Sequence, residues 1–356
     1  MTADEIRRGT PGNGPISRDA ALAACERIAE RDRSNLYRVS LFLADKRRWD
    51  AFLAFYAAMR VIDDRVDGLA DAGRLSPEAL AREQQVLSDW QERLDVARKG
   101  EPRSEPLDVG LAEAFASFPV PREVWTDFLQ AMAWDLRHDR FESPAEFLRY
   151  AKGATAAPTK IFVQLLASEP ADGESGTPAR YLVPNLGDGF DAAACGHDLG
   201  VFAYIGHILR DVVADLEIGP RGRIYIPLSD LREAGLTEQD LLAMAAAGQG
   251  DERWRACIRA LVARAREFER RGVAMAEARG PALRPDCWFI LTLIILLYQD
   301  LLDRIEADPD APLRRDPIQG EAEKMMLASR AAQRCGFRPE PAIRPSPGSP
   351  GPPVVS

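Results

Sequence analysis

The sequence predicts an all-α protein built as one large helical domain. Apolar residues recur at intervals of three and four in nearly every segment, which is typical of helices that bury one face. The alternation of β-branched residues that indicates strands is almost absent. Helix starts are also explicit, because Ser76 and Ser143 each place a capping hydroxyl directly before a proline at the first helical position.

About a dozen helices are expected to share one core. Thr237 begins a further capping motif, with Asp240 in the place that Glu usually takes. The longest apolar run, Trp288–Tyr298, is well short of the roughly 20 residues that cross a bilayer, and it predicts a buried core helix. The predicted helices span residues 18–31, 34–43, 46–67, 77–98, 108–117, 122–139, 144–168, 192–217, 237–247, 251–279, 282–306 and 316–333.

The predicted helical domain covers residues 18–335 without an internal boundary. Residues 1–17 are polar and glycine-rich and predict a flexible arm, and the proline-rich residues 336–356 predict a disordered tail. The segment 168–189 is rich in glycine, proline and acidic residues, which indicates a structureless loop insert, either a lid or a disordered segment. The helices on both sides of it are apolar enough to share a core.

Composition and net charge limit the classes of function that we expect for this protein. The 46 basic and 55 acidic residues give a net charge of −9, so nucleic acid would bind against the mean field of the molecule and is not expected as a partner. The five cysteines have no metal-ligand or disulfide spacing, and no signal peptide is recognisable, so we expect a cytoplasmic protein. His138 and His197 lack partners at zinc-ligand spacing.

Two pairs of aspartates stand four residues apart on predicted helices, so each pair projects from one helix face. Such pairs also arise by chance and then decorate solvated surfaces. Here, however, the neighbouring residues are largely apolar, and carboxylates held among apolar side chains repel one another unless cations lie between them. Mg²⁺ prefers oxygen ligands and shares the phosphate oxygens of substrates, so the pattern favours a diphosphate site. The pairs are Asp63 with Asp67 and Asp211 with Asp215.

Permanent cations accompany both pairs. Arg60 lies one turn before Asp63, and Arg210 adjoins Asp211, so these arginines could bind phosphate oxygens, or they could form surface ion pairs. A basic turn containing Arg223 follows the second pair and could close over an anion.

Two longer signatures contain the acidic pairs. They read Tyr56-Ala57-Ala58-Met59-Arg60-Val61-Ile62-Asp63-Asp64-Arg65-Val66-Asp67 and Leu209-Arg210-Asp211-Val212-Val213-Ala214-Asp215, the latter followed by Gly222-Arg223-Ile224-Tyr225-Ile226-Pro227. Taken together, these segments resemble the squalene and phytoene synthases, the head-to-head prenyl diphosphate synthases. Weaker similarity at Ser34–Tyr37 and at Leu297–Leu302 extends the resemblance to roughly residues 20–305.

The resemblance implies an isoprenoid-synthase-type bundle with a central cavity. It implies an Mg²⁺-dependent prenyltransferase that joins two farnesyl (C15) or geranylgeranyl (C20) diphosphates, releases pyrophosphate and gives a squalene- or phytoene-type product or its cyclopropyl diphosphate intermediate. The implied metal ligands are Asp63, Asp67, Asp211 and Asp215. The implied substrate contacts are Ser34, Tyr37, Tyr56, Arg60, Arg210, Arg223 and Tyr225, with Tyr150 as a further catalytic residue.

The chain departs from the family pattern one turn before Asp211, where Tyr204 and His207 replace a Gln and an Asn. His207 shares a helix face with both aspartates of the second pair, but imidazole is a poorer Mg²⁺ ligand than an oxygen. A neutral His207 could instead accept a proton from a carbocation, which makes it a candidate catalytic residue, or it could be an ordinary packed histidine. Small residues in 150–159 could line a prenyl cavity or permit close helix packing, and Pro158-Thr159 replaces the usual Val-Gly.

Two other functions stay open at this point. A same-fold enzyme could ionise a single prenyl diphosphate and then cyclise it, hydrate it or transfer it to another acceptor. A non-catalytic helical scaffold could retain the fold alone, although the four aspartates weigh against it. Because the expected substrates and products are lipids, transient contact with a membrane surface is a further hypothesis. Chain length, product, a reductive step and oligomeric state are left open.

Overall fold

The structure is a computed structural model that describes residues 16–31, 34–70, 75–171, 179–219 and 222–338. Within these ranges α-helices dominate, and the described sheet is one antiparallel pair of two-residue strands. The prediction of an all-α fold is confirmed. Residues 1–15 of the predicted arm and residues 339–356 of the predicted tail lie outside the described residues.

The helices follow one another with short connections. The α-helices are α1 Arg18–Ala29, α2 Asn35–Ser40, α3 Lys46–Ala70, α4 Pro77–Arg98, α5 Pro106–Ser117, α6 Arg122–Asp135, α7 Pro144–Ala151, α8 Ala157–Ala167, α9 Ala192–Arg210, α10 Val212–Asp215, α11 Leu228–Glu233, α12 Glu238–Ala247, α13 Glu252–Arg279, α14 Pro285–Ala307 and α15 Glu321–Cys335. The strands are β1 Glu169–Pro170 and β2 Tyr181–Leu182, with a π-helix at Lys152–Ala156 and short 3₁₀ turns at Gly280–Ala282 and Ala311–Leu313.

Helix α9 lies at the centre of the bundle and packs against α8, α13 and α14. Two glycines allow the close approach to α8 and the π-helix: a Cβ on Gly200 would lie 2.6 Å from Ala156 Cα, and one on Gly196 would lie 2.6 Å from Lys160 Cα. Residues on nearly every side of α9 are buried, which matches its continuous apolar sequence. This packing carries the second acidic motif, at the C-terminal end of α9, into the body of the protein.

The predicted helix 144–168 is not continuous. It divides into α7, the π-helix and α8, and the widened turn brings Gly153 against α6, where a Cβ would lie 2.0 Å from the carbonyl oxygen of Asp127. Only glycine fits at this distance. Gly153 and the buried Ala156 therefore serve close helix packing, one of the two roles that the small residues suggested.

The predicted helix 192–217 is also interrupted. Asp211 has φ −103° and ψ 11°, outside the helical region, and the helix resumes for only four residues at Val212–Asp215. Helix α11 was not predicted, and α6 ends at Asp135, four residues before the predicted end of that helix.

The segment 168–189 has structure of its own, so its description as structureless is corrected. Strands β1 and β2 pair in it, and the buried Tyr181 donates a hydrogen bond from its hydroxyl to Asp45 (2.9 Å). The fully buried Arg48 donates to the carbonyl oxygens of Leu165, Leu166 and Ser168, the unpaired C-terminal carbonyls of α8. Residues 172–178 lie outside the described part, and a lid function for the segment stays a prediction.

Helix α14 is the predicted core helix and is longer than its apolar run. Over 23 residues, with a mean hydropathy of 1.5 in its most apolar window, it is long and apolar enough to cross a membrane by length and composition alone. However, 67% of that window is buried against other parts of the protein. Such burial is what a core helix of a helical bundle shows.

Candidate active site

The first acidic motif lies near the C-terminal end of α3, on an unbroken helix. Ile62 and Val66 point into the core, which leaves Asp63 partly buried and Asp67 exposed one turn further on. Arg60 donates to Asp63 Oδ2 (3.0 Å) and also pairs with Asp64. Burial and the nearby charge of Asp67 outweigh Arg60 and raise the pKa of Asp63 to about 7.

The second motif begins at the helix break and has a different environment. Both oxygens of Asp211 accept hydrogen bonds from Arg210, at 2.7 and 2.5 Å, and His207 Nε2 lies 2.9 Å from Asp211 Oδ2. Burial raises the pKa of Asp211, but the hydrogen bonds from Arg210 and His207 outweigh it and hold the pKa well below its usual range. His207, which was predicted to share a helix face with Asp211, therefore contacts the carboxylate of Asp211.

Asp215 is the less compensated member of the second pair. Burial and the charge of Asp211 raise its pKa to about 7, against smaller opposing effects of Arg223 and Arg210. Its backbone oxygen accepts a hydrogen bond from Arg223 N (2.7 Å), which ties the basic turn to the end of α10.

Arg223 joins the two motifs. Its Nη1 lies 3.5 Å from Asp67 Oδ1 and 3.8 Å from Asp135 Oδ1, and it donates to the Tyr225 hydroxyl at 2.7 Å. The guanidinium is almost entirely buried, and within the described residues its Nη2 has no hydrogen-bond partner. A buried donor without a partner is costly, so an anion that accepts from Nη2 would bind favourably here.

A glycine and a partly buried arginine hold this turn in place. Gly222 has φ +67°, and a Cβ on it would lie 2.3 Å from the carbonyl oxygen of Leu216, so glycine is required. Arg140 donates to the Gly222 carbonyl oxygen (2.8 Å), and Ile224 N donates to Asp139 O (3.1 Å). These bonds fix the backbone on both sides of Arg223.

Asp135 belongs to this site and was missed in the sequence. It ends α6, is buried, and accepts a hydrogen bond from the hydroxyl of Tyr150 at 2.7 Å. Burial raises the pKa of Asp135 to about 7, although Arg223 and the hydrogen bond from Tyr150 lower it. The available signal was the i,i+4 pair of Asp135 and Asp139 within the predicted helix 122–139, which was not singled out among the acidic pairs of the sequence.

Aromatic rings surround Tyr150. Tyr204 stacks on Phe147 with ring centroids 5.6 Å apart and lies 5.9 Å from the ring of Tyr150. Tyr225 completes the group at 6.3 Å from both tyrosines. The departure at Tyr204 thus adds a buried aromatic wall beside the carboxylates.

The serine segment is placed by its own helix cap. Ser34 Oγ accepts from Tyr37 N (3.2 Å) as the N-cap of α2 and lies 2.7 Å from the hydroxyl of Tyr56. Tyr37 is buried, and its hydroxyl points to Glu30 (3.4 Å) rather than to the aspartates. Tyr37 and Tyr56 stack at 6.3 Å, so both also shape the core beneath this segment.

A cleft of about 400 Å³ connects the serine segment to the second motif. Asn35 lies on one side, Arg210 and Asp211 lie on another, and the segment after α14 closes it with Arg314, Arg315 and, from α15, Lys324. These three basic residues were missed because they lie beyond residue 305, where the motif resemblance stopped. Four basic side chains and three acidic ones, Asp211, Glu217 and Asp316, line the cleft, and this small excess of positive charge would favour the head of an anionic substrate.

The carboxylates suit Mg²⁺ only in part. Asp63, Asp67 and Asp215 supply oxygen donors, and two of them are short of positive charge, as their raised pKa values show. Asp211 already forms an ion pair with Arg210, and His207 lies within hydrogen-bond distance of it. Within the described residues, no three ligating side chains are gathered closely enough to hold a metal ion by themselves. A substrate that brings its own phosphate oxygens would complete such a site.

A helical bundle with two facing carboxylate pairs, interposed arginines and a basic cleft defines a class of enzymes that act on phosphate esters. Comparison with known proteins identifies the family. The family model for squalene/phytoene synthase matches residues 29–321, which extends past the range that the motifs indicated and includes Arg314 and Arg315.

Curated relatives and solved structures agree with this match. A phytoene synthase of Arthrospira platensis is 30% identical over 292 residues, 82% of this chain and 86% of that protein. A chloroplastic phytoene synthase of an Oncidium hybrid cultivar is 29% identical over 319 residues, 90% and 69% of the two chains. A dehydrosqualene synthase structure has a TM-score of 0.69 at 18% identity, covering 90% of this chain and 98% of that one. The chain belongs to the squalene/phytoene synthase family, and it is a prenyltransferase.

Proposed function

We propose that this protein catalyses the Mg²⁺-dependent head-to-head condensation of two prenyl diphosphates, with release of pyrophosphate. The observation that carries the proposal is Arg223, whose side chain reaches Asp67 of the first motif while its backbone binds Asp215 of the second. One buried guanidinium with an unpartnered Nη2 therefore lies where both motifs converge. A diphosphate offers the acceptor oxygens that this arrangement lacks.

Asp63, Asp67 and Asp215 are proposed as Mg²⁺ ligands. Asp211 is proposed to join them when Arg210 exchanges it for a phosphate oxygen of the substrate. When bound, Mg²⁺ would neutralise phosphate charge and so assist the departure of pyrophosphate.

The remaining electrostatic stabilisation of the diphosphate comes from arginines of the chain itself. Arg60, Arg210 and Arg223 bind phosphate oxygens and stabilise the negative charge that develops on the leaving group. The cleft beside Asn35 and Arg315 holds an anionic head on the other side of the second motif. Ser34 and Tyr56, hydrogen-bonded to each other, are proposed to orient the substrate.

The aromatic group of Phe147, Tyr150, Tyr204 and Tyr225 excludes water from the allylic cation. The double bond of the second donor then attacks C1 of that cation, and loss of a proton gives the cyclopropyl diphosphate. Tyr150 is proposed to act at this step with its hydroxyl held by Asp135. His207, on Asp211, is a proposed proton acceptor.

The test supplies purified protein with Mg²⁺ and, separately, C15 and C20 prenyl diphosphates, and follows pyrophosphate and extracted hydrocarbon by mass spectrometry. We expect pyrophosphate together with a C30 or C40 product, and no release after chelation of divalent cations. The curated relatives are named for phytoene, and the solved neighbours for squalene and dehydrosqualene, so both donors are included.

Other outcomes separate the competing functions. Pyrophosphate with a monomeric alcohol or a cyclic product would indicate an enzyme that ionises a single donor. No pyrophosphate from either donor would indicate a scaffold and overturn the proposal. We also propose that the protein is cytoplasmic. Because its donors and products are lipids, we propose that it makes transient contact with a membrane surface, which co-sedimentation with vesicles would measure.

A further inference from the structure

An ion pair spans the rim of the basic cleft. Glu217, just after α10, accepts two hydrogen bonds from Arg315, one at 3.1 Å and a shorter one from Nη2. Both residues line the cleft, and both side chains are exposed, 73% for Arg315 and 53% for Glu217. The Nη1–Nη2 edge of the Arg315 guanidinium, which would bind a phosphate, is thus directed at a carboxylate of the same protein.

The other arginines of the cleft are paired in a similar way. Arg210 is bound to Asp211, and Arg314 is bound to Asp308 at 2.8 Å through both carboxylate oxygens. Asp211 belongs to the acidic motif, and Asp308 lies behind the cleft, outside its lining. Glu217 differs from both of these carboxylates, because it lines the cleft without belonging to an acidic motif. Among the described residues its ion-pair partner is Arg315.

The strengths of the two competing interactions are unequal. An exposed Arg–carboxylate pair contributes little, since water screens both charges. A diphosphate carries more charge and presents several oxygens, so it binds a guanidinium more strongly than one carboxylate does. Glu217 and a diphosphate cannot both occupy the same guanidinium edge.

We propose that Glu217 is an internal competitor that occupies Arg315 in the substrate-free protein and is displaced when a diphosphate enters the cleft. The inference rests on the proposed function, because the displacing ligand is a diphosphate. Glu217 is a positioning residue: it holds Arg315 at the rim, and it sets how strongly the cleft retains pyrophosphate after reaction. Removing its charge should strengthen diphosphate binding, which is the opposite of what loss of a ligand-binding residue does.

The test measures the dissociation constant of inorganic pyrophosphate by calorimetry at fixed Mg²⁺ for the full chain and for three variants. Glu217→Gln should bind pyrophosphate about two- to fivefold more tightly, the range set by the worth of an exposed ion pair. Arg315→Gln should bind it about tenfold more weakly. In the double variant, Glu217→Gln should have no further effect, because its partner is gone.

Glu252→Gln is the matched control, since Glu252 forms an exposed pair with Arg259 away from the cleft, and it should not change the dissociation constant. Unchanged or weaker binding by Glu217→Gln, with Arg315→Gln still weakened, would overturn the competitor role and leave the diphosphate cleft standing. Equal binding by the parent protein and Arg315→Gln, or no binding by the parent protein, would overturn both. The tightening should also shrink as ionic strength rises, because salt already weakens the exposed pair.

Discussion

The two acidic motifs have the same spacing and different electrostatics. Asp63 lies on an unbroken helix, and burial together with the charge of Asp67 raises its pKa to about 7. Asp211 lies at a helix break between Arg210 and His207, and its pKa falls well below the usual range. Asp215, four residues later, resembles Asp63 again, with a pKa of about 7.

The difference shows that burial and neighbouring charges, rather than the spacing of the pair, decide whether an aspartate attracts a cation. Asp63 and Asp215 are carboxylates without sufficient positive charge, so they attract a cation. Asp211 is already paired with Arg210, and an anion that bound Arg210 would have to replace it. Arg223, which touches both motifs, is placed where a substrate can exchange with these internal pairs.

The largest expected effect tests whether both motifs take part in the reaction despite this difference. Asp63→Asn and Asp211→Asn should each lower turnover by at least about 10³-fold, because each removes charge that acts only when the leaving group departs. Pyrophosphate release measures this, and circular dichroism should show an intact helical fold. Full turnover in either variant would refute the assignment of that motif.

The next effect concerns the turn that bridges the motifs. Gly222→Ala should lower kcat/KM by about 10²-fold, because the new Cβ would lie 2.3 Å from Leu216 O and displace Arg223. Gly100→Ala is the control: it has a similar φ, +78°, with no atom near its Cβ position, so it adds backbone strain without crowding. Equal activity of the two variants would mean that Arg223 does not depend on this turn.

Much of this arrangement could be predicted from local patterns. The helix period, the caps at Ser76 and Ser143, and both acidic motifs are short-range features, and the structure contains all of them. The break at Asp211 could not be predicted, because no glycine or proline marks it and the valines that follow are only moderately unfavourable in a helix. The π-helix at 152–156 depends on how closely α6 approaches, which is a tertiary effect.

Contacts between residues far apart in the sequence could not be predicted either. Asp135 acquires its significance from Tyr150, 15 residues later, and from Arg223, which lies far along the chain. Arg315 reaches the site because the chain returns to it after α14, and Glu217 matters only through Arg315. Sequence patterns indicate which residues share a helix face, but not which faces meet.

A smaller effect is expected on thermal stability, where substitutions in the two motifs should act in opposite directions. In metal-free protein near pH 8, Asp63→Asn should raise the melting temperature by about 1–3 °C, because it removes a partly buried charge beside Asp67. Asp211→Asn should lower it by a similar amount, because Arg210 and His207 lose their acceptor. Differential scanning fluorimetry measures both shifts. Shifts of the same sign would contradict the contrast between the motifs.

The last effect is the dependence of metal-free stability on pH. The pKa values of Asp63, Asp135 and Asp215 are raised to about 7 in the folded protein, so folding favours their protonated forms. That contribution is complete below their unfolded pKa, near 4, and is lost as the pH rises through about 7. The melting temperature should therefore fall between pH 6 and pH 8.

Two comparisons test the origin of that slope. Asp63→Asn should make it shallower, because one of the three carboxyl groups no longer titrates. Asp211→Asn should make it shallower by a smaller amount, because Asp211 itself does not titrate in this range but its charge helps to raise the pKa of Asp215. Mg²⁺ with inorganic pyrophosphate should flatten the slope, because bound cations favour the ionised carboxylates. A melting temperature that rises from pH 6 to pH 8 in metal-free protein would show that these carboxylates are compensated by charges other than a metal, and the two motifs would then be electrostatically alike.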